Sequence, residues 1–105
     1  SFFMDFQIDN TAKWIFDHLA DEDKKSLSVE DIDYVLDLMC DFYEKMGLLD
    51  DEKEEEIDIN EEEIFLFICA LIKKENIAPH ITNEQVQLIL DKEYEYGVKN
   101  GVYNS

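Results

Sequence analysis

The chain contains no arginine, one proline, three glycines and two cysteines among its 105 residues. Without arginine it lacks the planar, bidentate donor that reads phosphate and guanine. Its nine basic residues are all lysine, set against 27 acids for a net charge of −18. So acidic a surface repels DNA, RNA and anionic lipid, which argues against direct nucleic-acid or membrane-surface binding. So few glycines leave no phosphate-cradling loop, and neither G-x-S-x-G nor a Ser/His/Asp ordering occurs. The longest apolar run has nine residues, too few to span a bilayer.

What is present suits a folded domain. Hydrophobic residues make up 46 % of the chain, enough to build a core. Ser1, Phe2 and Phe3 precede Met4, and these three residues are expected to be an expression scar. No signal-peptide pattern follows. Cys40 and Cys69 lie in apolar helical stretches, so free, buried thiols and a cytoplasmic location are expected.

An internal repeat organises the rest. Residues 27–49, LSVEDIDYVLDLMCDFYEKMGLL, align without a gap on residues 81–103, ITNEQVQLILDKEYEYGVKNGVY. Glu30, Leu36, Asp37, Lys45 and Gly47 recur as Glu84, Leu90, Asp91, Lys99 and Gly101. Ser28 with Asp31, and Thr82 with Gln85, form capping boxes that start two long helices. Gly47 and Gly101 end them by taking the left-handed conformation. A shorter helix is expected before each. The first covers about Asn10–Ala20, with Ile8, Ala12, Ile15, Phe16 and Leu19 on one stripe. The second follows an Asn60 cap and contains Ile64–Ile72, apolar on every side, so it is expected to be the central helix of the core.

The expected fold is therefore all-α, four helices as two duplicated helix–loop–helix units sharing one core. Residues 1–105 form a single domain: 4–49 the first half, 50–59 an acidic connector, 60–105 the second half. Residues 50–63 hold ten acids and one lysine, half of the excess charge. Such a block repels itself and is expected to be a solvated linker or a docking strip for a basic partner.

A duplicated helix–loop–helix with a lone hydrophobe, Leu27 or Ile81, before each second helix resembles a pair of EF-hands. The likeness is architectural and covers most of the chain. It implies two loops paired side by side. The calcium chemistry is missing, because that loop needs oxygen ligands at its first, third and fifth places, glycine at the sixth and a bidentate Glu at the twelfth. Those places hold Ala20, Glu22, Lys24, Lys25 and Asp31 in one copy, and Lys74, Asn76, Ala78, Pro79 and Gln85 in the other. No calcium binding is expected; a plain four-helix bundle is the alternative packing.

Other chemistry finds little support. The two histidines, His18 and His80, fall in no zinc spacing, and neither has a Glu three residues before it as di-metal bundles require. No metal, no cofactor and no catalytic residue are expected, and the chain is read as a binder and not an enzyme. The candidate contact residues are the aromatics Trp14, Tyr94 and Tyr96, which fall off the core stripes, and the connector acids Asp50, Asp51, Glu52, Glu54, Glu55, Glu56 and Asp58. The leading expectation is an acidic module, monomer or homodimer, that occludes a basic protein surface as an inhibitor, an immunity or antitoxin-like protein or a nucleic-acid mimic does. The alternative is a helix-groove adaptor of degenerate EF-hand type.

Overall fold

A computed structural model describes residues 2–47 and 60–101, with side chains from Asn10 onward. The connector 50–59, with its candidate contact residues, lies outside the described residues. Among the described residues there are five helices and no strand: α1 (Phe2–Asp17), α2 (Asp21–Ser26), α3 (Val29–Lys45), α4 (Glu61–Glu75) and α5 (Asn83–Lys99). The expected count of four is thereby corrected. The additional helix, α2, has the sequence DEDKKS and buries nothing, so no apolar period announces it. Its acids sit in the first turn and its lysines in the last, the order a helix dipole favours.

Both capping boxes form as their sequences require. The Ser28 N–H donates to Asp31 Oδ2 at 3.0 Å while the Asp31 N–H donates to Ser28 Oγ at 3.0 Å. Thr82 and Gln85 repeat the pair at 3.0 and 3.1 Å. Asn60 Oδ1 accepts from the N–H groups of Glu62 and Glu63 at the start of α4. Gly47 and Gly101 follow α3 and α5 with φ of 71° and 74°. Asn76 caps α4 in the left-handed region, a conformation its short amide side chain tolerates.

The place of α4 differs from expectation. Only Ile64, Ile68 and Ile72 are buried on it, one residue per turn, while Leu66 is 56 % exposed. The centre is α3, which packs on α1, α4 and α5 and buries Ile32, Val35, Leu36, Leu38, Met39 and Phe42. An apolar stretch on every side does not force burial on every side. Here α4 lies against α3 and α5, and no described residue covers its opposite face.

The two helix-entry loops meet. Gln85 Nε2 donates to Ser26 Oγ at 2.8 Å, and His80 Nε2 lies 3.0 Å from Asp31 Oδ2. Leu27 and Ile81, next to Ser26 and His80 in the chain, are both buried.

Candidate functional site

A groove of about 550 Å3 lies between α3, α4 and α5. Met39 and Tyr43 come from α3, Glu61 and Ile64 from α4, and Gln87, Leu90, Asp91, Glu93, Tyr94 and Glu95 from α5. Five of these six α5 residues, at 87, 90, 91, 94 and 95, share one helical face, on which Leu90 is half-buried and the other four are exposed. Met39 and Ile64 are buried and form an apolar floor. Tyr94 stands at the edge, 43 % exposed.

Four carboxylates line this groove and no lysine does. Asp91 accepts from Gln87 Nε2 at 2.9 Å, and Glu95 pairs with Lys92 at 3.2 Å outside the lining. At Cys40 on α3, burial first and then the charges of Asp37, Asp41 and Glu93 disfavour ionisation of the thiol. Together they push the Cys40 thiol up. Burial alone does the same to Cys69. Both cysteines are free and half-buried, more open than the full burial expected of them. Their raised pKa values leave little thiolate for nucleophilic chemistry at neutral pH.

The three candidate aromatics do not form one site. Tyr94 faces the groove. Trp14 and Tyr96 lie together between α1 and α5, their rings 5.1 Å apart. Trp14 also stacks on His18 at 3.9 Å and 18°, and the His18 Nδ1 bonds the Trp14 carbonyl. Lys99 approaches the same indole at 6.0 Å. The pair is half-buried helix-to-helix packing with a polar cover. No group of three or more acidic, histidine or cysteine side chains converges in a way that could hold a metal ion, among the described residues. No described helix is long and apolar enough to cross a membrane.

Comparison with family models, with curated proteins and with solved structures finds no match.

Tyr94, which the sequence singles out as a candidate with Glu93 and Glu95 beside it, lines the groove. Glu61, Asp91 and the floor of Met39, Ile64 and Leu90 are not singled out by the sequence. The period of 87, 90, 91, 94 and 95 along α5 is visible in the chain, but three helices have to meet before that face becomes a wall.

Proposed function

We propose that this chain is a binding protein that occludes a basic surface on another protein, and that its contact is built on the α3–α4–α5 groove. The observation that carries the reading is the groove lining: an apolar floor, an exposed tyrosine and four carboxylates with no cation among them. The occupant that matches is a segment with one large apolar side chain flanked by lysines or arginines. Its apolar group would fill the floor, and its charges would meet Glu61, Asp91, Glu93 and Glu95. An inhibitor or neutraliser of a basic protein works in this way; a nucleic-acid mimic presents its carboxylates for the same purpose. A cytoplasmic setting agrees with two free cysteines. No step of catalysis is assigned.

The second reading is a groove adaptor of degenerate EF-hand type in a chain that arose by duplication. It is supported by the matched capping boxes and by the meeting of the two loops through Ser26–Gln85 and Asp31–His80. Against a strict likeness, α2 fills only the first loop.

The test uses a lysine–leucine peptide of helical period, with polylysine and a glutamate–leucine peptide as controls. The first should bind, and the glutamate form should not. Tyr94→Ala should weaken binding about tenfold or more, mainly by faster dissociation. Glu61→Gln with Glu95→Gln should slow association and flatten its salt dependence. Binding that ignores salt but needs Tyr94 would favour the adaptor. Binding that ignores all three residues would end the groove assignment.

A further inference from the structure

The face of α4 turned away from the core carries a pattern that no contact within the described fold uses. Ile64, Ile68 and Ile72 mark the buried side. On the opposite side, at helical spacing, stand Glu62, Leu66, Ala70 and Lys73, all exposed. Glu63 and Lys74 run beside this ridge on one flank. Leu66 is 56 % exposed, an unusual degree for a leucine in the middle of a helix with four exposed or half-buried apolar neighbours: Phe65, Phe67, Cys69 and Ala70. Lys73 and Lys74 form no ion pair among the described residues.

From this pattern we infer that the outer face of α4 is a self-association surface, on which a second copy of this chain packs its own α4 antiparallel. A two-fold interface requires that each residue meet its counterpart's partner in both directions. The α4 ridge satisfies this requirement about one level, that of Ile68. An antiparallel copy centred there sets Leu66 beside Ala70 of the second copy, large against small, and Ala70 beside its Leu66. Glu62 then lies on the same flank as Lys73 of the second copy, and Glu63 on the same flank as its Lys74. Each contact occurs twice. The helix dipole also favours acids at the start of α4 and lysines at its end. That effect acts within one helix and does not call for an exposed leucine and an alanine between them.

Whole-molecule charge opposes any such pairing, because each copy carries −18. At about 0.15 M salt the Debye length is about 8 Å, so distant repulsion is screened while the flanking pairs in contact persist. The surface is distinct from the groove, whose α4 contributions are Glu61 and Ile64.

Sedimentation equilibrium of the full chain at that salt tests the inference. The parent should pass from monomer to dimer as its concentration rises to the submillimolar range. The pair Glu62→Lys and Glu63→Lys adds four positive charges, from −18 to −14, and so reduces overall repulsion. It should nonetheless weaken the dimer about tenfold or more, because four facing pairs become like-charged. Adding Lys73→Glu and Lys74→Glu returns the net charge to −18 and should restore the dimer. Leu66→Gln should also weaken it, with circular dichroism confirming that each variant stays helical. A parent that remains monomeric throughout would overturn the inference. So would a double Glu→Lys variant that dimerises as well as the parent or better, since general repulsion alone predicts that result.

Discussion

Asp31 does three things at once. Its N–H donates to Ser28 Oγ, its carboxylate accepts from the Ser28 N–H to close the α3 capping box, and the same carboxylate meets His80 from the loop that opens α5. Burial presses its carboxyl up, but the backbone bond from Ser28 and the bond and charge of His80 outweigh it and hold the group below its usual range. A carboxyl depressed in the folded state adds stability that is fully present above its unfolded value of about 4 and is lost as pH falls through the folded one. Asp31→Asn keeps an oxygen for Ser28 but drops the charge. It should therefore lower stability at neutral pH, and the gap to the parent should close on acidification below about pH 4, as urea melts across that range would measure. Ser28→Ala, which removes the other half of the box, should cost about 1 kcal/mol.

At the scale of elements, α4 is the informative helix. Its sequence IFLFICALI carries no polar residue, yet only one residue per turn is buried. Ile68→Ala opens a cavity in a fully buried position and should cost about 2–5 kcal/mol. Leu66→Ala touches an exposed position and should change stability by less than about 0.5 kcal/mol at concentrations where the chain is monomeric. Denaturant unfolding of the two variants separates a peripheral helix from a central one, since a central α4 would make both changes expensive. The same helix is held at its far end by the Tyr34 hydroxyl of α3, which donates to the Glu75 carboxylate. Burial first, and then that carboxylate's bond and charge, push the Tyr34 phenol up to about 12.

For the whole molecule, electrostatics means self-repulsion. Changing Asp50, Asp51, Glu52, Glu54, Glu55, Glu56 and Asp58 to their amides removes seven of the 18 net charges. Thermal stability at low salt should stay level or rise, because the repulsion they add outweighs any exposed pairing. A fall in melting temperature would mean that these acids pair with lysines in the fold. Added salt should raise the parent's melting temperature more than the variant's.

Local grammar decided much of this protein. Ser28, Thr82 and Asn60 start their helices because a side-chain oxygen near an orphan amide needs nothing distant to act. Gly47 and Gly101 end theirs because glycine takes positive φ without steric cost. The all-helical class and the acidic, arginine-free surface follow from the chain alone. The short helix α2 escaped because an element that buries nothing leaves no apolar period. Which helix is central, which face of α4 stays open, and which of Trp14, Tyr94 and Tyr96 reaches a groove were decided by packing. An apolar face is only an offer of burial. Whether a neighbour takes it depends on how residues far apart in sequence meet, and three helices had to meet before Glu61, Asp91 and Tyr94 lined one groove.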